Sequence, residues 1–206
     1  MTVNGKVAQL GDRASSEDQI MIDGRPLPPI QDFVYLMLHK PRGYVTTLKD
    51  EKGRPTVAQL IDCGCRVYPI GRLDYDSEGL LLFTNDGAFA DRMMHPKGNI
   101  PKTYIVTVRG ELEGAEENLR RPIVLDGYRI RKPIVKTLSV QEDKARLSIT
   151  IYEGRNRQIR RMCEAAGLQV LRLCRVSEGS ISLGDLPRGT WRHLTEAELL
   201  QLKEES

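Results

Sequence analysis

Residues 71–87 read GRLDYDSEGLLLFTNDG, and the fold turns on how this stretch is read. Its second half, LLLFT at 80–84, is apolar at consecutive positions and reads as a buried strand closed by Asn85, Asp86 and Gly87. Its first half carries Arg72, Asp74 and Asp76, which a buried strand does not need at its entrance. Either an acidic turn precedes the strand, or the strand is a mount for one carboxylate. Local physics alone favours the turn, with Asp74 or Asp76 accepting a backbone N–H. In its favour as a mount, a loop between two strands holds a side chain on short, well-supported backbone, where geometry is fixed.

Working outward, FVYLMLHK (33–40) reads as a buried strand ended by Pro41 and Gly43, and VYPIG (67–71) as another. AFADRMMH, capped from residues 85–87, is a short helix stopped by Pro96. TYIVTVRG (103–110) and ARLSITIYEG (145–154) alternate. In the latter Leu147, Ile149 and Ile151 share one face, and Ser148, Thr150 and Tyr152 the other, the pattern of antiparallel strands packed on one side. In RQIRRMCEAAG (157–167) the period changes: Ile159, Met162, Cys163 and Ala166 recur at helical spacing and Gly167 is a natural stop. LQVLRL and SISL return to strand, and TEAELLQLKEE ends in a Thr-capped helix. Many strands with few helices predict an α+β domain on a mostly antiparallel sheet. No internal repeat interrupts it.

Residues 1–25 differ in character. Asn4-Gly5 and Asp23-Gly24 are hairpin-type turn pairs flanked by Val3, Val7, Ile20 and Ile22, too short a span to bury a core of its own. LPPIQD (27–32) reads as a stiff linker. The expected organisation is a small segment over 1–30 and the main domain over 31–206.

Bulk composition excludes several classes. The 206 residues are 40% hydrophobic and 29% charged, ordinary for a globular chain with a real core, and the net charge of +3 carries little information about partners. Cys63, Cys65, Cys163 and Cys174 form no C-x-x-C pair, and His39, His95 and His193 lie far apart, so reduced thiols are expected rather than a zinc site. The N-terminus has no apolar signal segment and no stretch approaches membrane-spanning length, which predicts a cytoplasmic protein.

Local charge is more telling. EGRNRQIRR (153–161) places Arg155, Arg157, Arg160 and Arg161 at a strand-to-helix junction, and a helix over 157–167 would set Arg157, Arg160 and Arg161 on one stripe. A solvated face, with Arg160 paired to Glu164, is the ordinary reading. Against it, all four are Arg, suited to bidentate anion contacts, and they open a helix whose amides already favour an anion. Lys40, Arg42, Arg72, Lys102, Arg172 and Arg175 extend the basic supply. An anionic polymer is the expected partner, RNA and DNA being indistinguishable at this point.

Three chemistries could use the acidic motif. A D-x-D pair could hold a divalent cation, but no further carboxylates stand nearby to complete oxygen ligation. A carboxylate pair could cleave a glycosidic bond, although residues two apart leave their orientation to the turn. A single Asp could act at a sugar C1′, kept ionised by an arginine, which also accounts for the arginine-rich element.

GRLDYDSEGLLLFTNDG, KTYIVTV, EGRNRQIRRMCEAAG and LPRGTWRHLTEAEL, in that order, resemble the bacterial ribosomal RNA pseudouridine synthases of the small-subunit synthase A and large-subunit synthase B/E/F group. The resemblance runs from about residue 33 to the C-terminus. It implies the synthase catalytic domain, with a mixed, mostly antiparallel sheet, flanking helices and a central RNA-binding cleft. It also implies isomerisation of uridine to pseudouridine without cofactor or metal, with ribosomal RNA or a pre-ribosomal particle as partner, 23S favoured over 16S. Asp74 then engages C1′ of a flipped-out uridine. Tyr104 packs against the base and is the candidate for taking the C5 proton, and Arg160 is the ion-pair partner of Asp74. Leu173 lies under the base, and Arg72, Arg155, Arg157, Arg161, Lys40, Arg42 and Lys102 meet the substrate. The N-terminal segment resembles the second half of an S4-type RNA-binding module, ending in its D-G; the two helices expected before it are missing ahead of Met1, so it reads as a truncation or a remnant. A monomer is expected.

A non-catalytic RNA-binding or ribosome-assembly protein on the same fold is the alternative. It would have no use for an acid at Asp74 facing a phosphate polymer. A glycosidase would need aromatic-rich subsites, whereas 5% of this chain is aromatic and its clustered arginines suit a neutral glycan poorly.

Overall fold

The alternating and continuous apolar runs become strands in the computed structural model, which describes residues 1–15, 17–27, 32–95 and 98–205. The chain divides into two compact units, Met1–Asp32 and Phe33–Ser206. Pro28 to Gln31, in the segment expected as a linker, and the helix-stopping Pro96 lie outside the described residues.

The first unit is a small antiparallel sheet of β1 (Thr2–Val3), β2 (Lys6–Val7), β3 (Ile20–Ile22) and β4 (Arg25–Pro26), in the order β2-β1-β3-β4. Both turn pairs take the left-handed backbone a two-residue hairpin requires, with φ of 48° and 78° at Asn4-Gly5 and 50° and 76° at Asp23-Gly24. Asn4 ties the hairpin to the following loop through Asp18 and the Gln19 amide.

The second unit runs β5 (Tyr35–Lys40), β6 (Tyr68–Ile70), β7 (Glu78–Thr84), α1 (Gly87–Met94), β8 (Lys102–Gly110), α2 (Ala115–Arg120), β9 (Val124–Leu125), β10 (Tyr128–Arg129), β11 (Ile134–Gln141), β12 (Lys144–Ile151), α3 (Gln158–Ala165), β13 (Leu168–Glu178), β14 (Ile181–Ser182), β15 (Trp191–His193) and α4 (Glu196–Glu205). The main sheet has the order β11-β12-β8-β13-β7-β5-β15, with β6 added to β7 and β14 to β13; β9 and β10 pair separately. Among the described strands every pairing is antiparallel except β13 with β7. The expected α+β class on a mostly antiparallel sheet is what the chain adopts.

Two apolar layers explain the sequence pattern. Leu36, Leu38, Leu81 and Phe83 pack on one face of the sheet with Ile159, Met162 and Cys163 of α3. Met37, Leu80 and Leu82 pack on the other with Phe89 and Met93 of α1 and Leu202 of α4. β5 and β7 are therefore covered on both sides, which is why they read as continuous apolar runs. Each such side chain contributes about 1.5–3 kcal/mol relative to an exposed one. β12 instead commits Leu147, Ile149 and Ile151 to the first layer and alternates.

Helix ends follow local chemistry. Asp86 caps α1 by accepting from the Phe89 amide at 3.0 Å, and it also receives the Tyr35 hydroxyl at 2.8 Å. Thr195 and Glu198 exchange bonds ahead of α4, Glu198 N to Thr195 Oγ1 and Thr195 N to Glu198 Oε2. The edge strands β11 and β15 and the short α2 were not anticipated from pattern. β11 leaves Ile134, Leu138 and Val140 exposed and buries Val135, so its apolar residues do not report on burial.

The parallel contact of β7 with β13 is close. It pairs Cys174 with Glu78 and Arg175 with Gly79. Gly79 has φ of 113°, and a Cβ there would stand 2.2 Å from the Arg175 carbonyl oxygen. A side chain is sterically forbidden, and that approach brings the loop before β7 over β8 and β13.

Candidate active site

The loop of residues 71–77 is held by its own carbonyls. Thr46 Oγ1 donates to the Leu73 oxygen at 2.7 Å. The Asp74 oxygen accepts from Lys40 Nζ at 3.0 Å and from the Ser77 amide at 3.1 Å. Tyr75 accepts from the Gly43 amide at 2.8 Å, Asp76 from Arg160 at 3.0 Å, and Ser77 from Lys40 at 2.8 Å. Five consecutive carbonyls are thus bonded to fixed donors, so the direction of the intervening side chains is set by the scaffold.

Asp74 projects from this loop into a cleft of about 270 Å³ that Tyr104, Leu173, Arg72, Arg155 and Arg157 also line. Its carboxylate is about one-third exposed. Tyr104 and Leu173 reach the cleft by sheet register: on β8 and β13, Tyr104 faces Arg175 and Val106 faces Leu173, which puts the ring and the leucine on one sheet face as diagonal neighbours. Both are buried. Burial raises the Tyr104 phenol above its ordinary range, and the Arg175 charge beside it opposes that shift.

The arginines are arranged differently from the expected stripe. α3 begins at Gln158, and Arg157 is its N-cap, in left-handed backbone with φ of 49°. That turn, costing about 1 kcal/mol or more for a non-glycine residue, takes Arg157 off the helix and aims it back at the 71–77 loop. Its Nη1 lies 3.8 Å from Asp74 Oδ2 and 3.2 Å from Asp76 Oδ1. Arg160, expected to pair with Asp74, makes its ion pair with Asp76 at 3.2 Å instead. Asp76, expected as a turn or cap residue, is a hub for both guanidiniums. Burial works against its charge, but the Arg157 hydrogen bonds and the two positive charges win and hold the carboxyl below its usual value. Arg160 itself is lowered, chiefly by burial.

The other expected basic residues separate. Lys40 is wholly buried and spends its ammonium on the carbonyls of Pro41, Asp74 and Ser77, so it braces the loop rather than meeting a ligand. Burial brings its pKa down to about 8, with Asp74, Asp76 and Glu78 opposing. Arg161 points away to Asp126 at 2.7 Å, because it stands one residue round the helix from Arg160. Arg42 is exposed and donates to the Leu171 oxygen at 2.7 Å. Lys102 is mostly covered, with Nζ 3.6 Å from the buried Glu178. Arg155 lies over the Tyr128 ring at 3.5 Å.

Sequence reasoning passed over Asp76 as a hub, Thr46, Glu78 and Gly79. Glu78 is buried between Arg172 and Arg188, and nothing in its sequence neighbours announces that pairing. Only the glycine carried a signal, as an isolated Gly within an apolar strand. Among the described residues no cluster of three or more His, Cys, Asp or Glu is placed to hold a metal ion, and no helix is long and apolar enough to cross a membrane.

Comparisons with known proteins identify the family to which this sheet and sequence belong. Residues 34–165 match the family model described as RNA pseudouridylate synthase, and the chain belongs to that family of enzymes. Its relatives narrow the class. It is 42% identical over 206 residues to ribosomal large subunit pseudouridine synthase B of Bacillus subtilis (strain 168), spanning 98% of this chain and 84% of that one. It is 37% identical to the protein of the same name from Escherichia coli O157:H7, over 99% and 74% of the two chains. A solved pseudouridylate synthase superposes with a TM-score of 0.74 at 32% identity, covering 98% of this chain and 87% of that chain.

Proposed function

We propose that this enzyme converts uridine to pseudouridine in ribosomal RNA, that of the large subunit, with Asp74 acting at C1′ of an extruded uridine. The observation that carries the reading is the placement of Asp74 on a loop bonded at five consecutive carbonyls, facing Tyr104 and Leu173 across a cleft. The names of the relatives support the choice of RNA.

The chemistry balances without a redox partner. Asp74 engages C1′ as the N1–C1′ bond breaks and its electron pair leaves with the uracil. The base turns, C5 forms the new bond to C1′ as the Asp74 carboxylate is released from it, the C5 proton departs and N1 gains a proton. Arg157, 3.8 Å from the Asp74 carboxylate, gives it a positive neighbour that stands between it and phosphate. Leu173 and the Tyr104 ring hold the base while it turns, and Arg175 is the group that would stabilise a phenolate if Tyr104 takes the C5 proton. No cofactor is needed for this exchange of bonds.

Extruding a uridine from a stack costs a few kcal/mol, least in a loop or bulge. Arg72, Arg155 and Arg157 at the cleft rim supply phosphate contacts against that cost. The small N-terminal sheet, read as a partial S4-like module, adds RNA contacts of its own, and the enzyme works as a cytoplasmic monomer.

The test maps pseudouridines across both ribosomal RNAs in a strain lacking the gene. One large-subunit uridine should lose its modification and regain it when the wild-type chain is restored. Loss confined to small-subunit RNA would overturn the target, and loss at no site would overturn the function.

A further inference from the structure

A second cavity opens beside the first and is not accounted for by one target uridine. It is the larger, about 460 Å³ against about 270 Å³. The two share Arg72, Tyr104, Gly154 and Arg155 as a common wall, so the second opens immediately beside a base held in the first. Its sides are Met93, Met94, Tyr128 and Tyr152, a more apolar and aromatic lining than the first. Its polar wall is Arg175 and Glu178, each only 2% exposed, with Lys102 nearby.

We propose that this cavity receives a second nucleobase, the purine of a nucleotide flanking the target uridine, and so contributes to the choice of site. The inference rests on the RNA-modifying reading above. Three observations carry it. First, the size suits a two-ring base better than a second pyrimidine, and apolar and aromatic side chains are what a base face stacks on. Second, Arg155 sits over the Tyr128 ring at 3.5 Å on the boundary between the cavities, a flat pair onto which a base can slide and through which it is held near the first site. Third, Arg155 Nε, on the shared wall, is buried without a hydrogen-bond partner, while Arg175 and Glu178 neutralise each other at 3.1 Å and leave the wall without net charge. Buried polar atoms are ordinarily satisfied, and a donor left over in a cavity wall is the kind that reads a base edge.

The experiment uses the full chain and a natural-sequence RNA fragment containing the mapped uridine. Abasic sugars replace, one at a time, the three nucleotides on either side, and kcat/KM for isomerisation is measured for wild type, Tyr128→Ala and Tyr128→Phe. One flanking position should lower wild-type kcat/KM about 10-fold when its base is removed, in line with the loss of one stacked base. Tyr128→Ala should be about 10-fold slower on the natural RNA and insensitive to the abasic sugar at that position. Tyr128→Phe, which keeps the ring, should retain the wild-type discrimination. Tyr128 is 42% exposed, so both variants should fold, and unchanged melting temperatures would show it. A wild type indifferent to every flanking base would overturn the proposal. So would an abasic penalty equally large in Tyr128→Ala. A wild type that turns over no RNA would instead sink the underlying reading, and the two failures are therefore distinct.

Discussion

Arg157 Nη1 stands 3.8 Å from Asp74 Oδ2, whereas Arg160 makes its ion pair with Asp76. The two guanidiniums therefore do different work. Arg157 borders the cleft beside the Asp74 carboxylate; Arg160 bonds the Asp76 carbonyl and carboxylate and keeps the loop in place. Arg157→Ala should lower the single-turnover rate about 10- to 100-fold with little change in stability, since its pairs are partly open to solvent. Arg160→Ala should lower stability by about 1 kcal/mol or more, a figure discounted because the Asp76 side chain is 45% exposed. Denaturant titrations beside single-turnover rates separate the two. Equal rate loss in Arg160→Ala at unchanged stability would return it to the role of direct partner.

Why this division was not legible follows from how sequence encodes direction. Helical spacing put Arg157, Arg160 and Arg161 on one stripe, but one left-handed residue at Arg157 starts the helix later and turns that side chain around. Backbone sign at a non-glycine residue leaves no mark in composition. The layers were legible because β5 and β7 bury both faces and β12 buries one, and these leave different periodicities. Asp74, Tyr104 and Leu173 could be named from the ordered motifs, while their meeting in one cleft depends on the β7–β13 approach, a contact between segments about a hundred residues apart. Lys40 misled for a simpler reason. A lysine ending an apolar strand looks like a solvent anchor unless three carbonyls are known to converge on it.

That convergence makes Lys40 a stability residue with a pH signature. Lys40→Met leaves buried carbonyls short of donors and should cost about 2–4 kcal/mol, read by urea denaturation, with a slower reaction from a loosened Asp74 loop. The folded pKa is about 8, below the 10.5 of an ordinary lysine. Between those values the unfolded chain binds more protons than the folded one, so the Lys40 contribution to stability rises with pH across that window and is lost as pH falls through about 8. The wild-type advantage over Lys40→Met should therefore grow from pH 8 to about 10.5. A difference that is flat or shrinks with pH would contradict the burial of this ammonium.

Gly79 tests the β7–β13 approach. A Cβ 2.2 Å from the Arg175 oxygen, at φ of 113°, can be relieved only by separating the strands. Gly79→Ala should destabilise by about 3 kcal/mol or more, and the residual folded protein should be slow because Asp74 would move relative to Tyr104. A neighbouring control, Ser77→Ala, alters a hydroxyl without a hydrogen-bond partner and should leave stability within about 1 kcal/mol. Similar melting temperatures for Gly79→Ala and wild type would show that the strands do not meet this closely.

The sharpest distinction between an enzyme and a binding protein on this fold lies at Asp74 itself. In a cleft rimmed by Arg72, Arg155 and Arg157, a carboxylate repels phosphate and occupies a guanidinium that could otherwise bind it. A module selected only to hold RNA gains from losing that charge. Asp74→Asn keeps the size of the side chain, and the carbonyl bonds that fix the loop are backbone ones, so the fold should be unaffected. Isomerisation should fall by about 10³-fold or more, as for other nucleophile removals. RNA affinity should stay level or tighten a few-fold, because Arg157 is released toward phosphate and one repulsive charge is gone. Tritium release from 5-tritiated uridine measures the first and filter binding across a salt series the second. Full turnover by the Asn variant would remove Asp74 from the reaction, and a large loss of binding would mean that the carboxylate holds the RNA rather than transforms it.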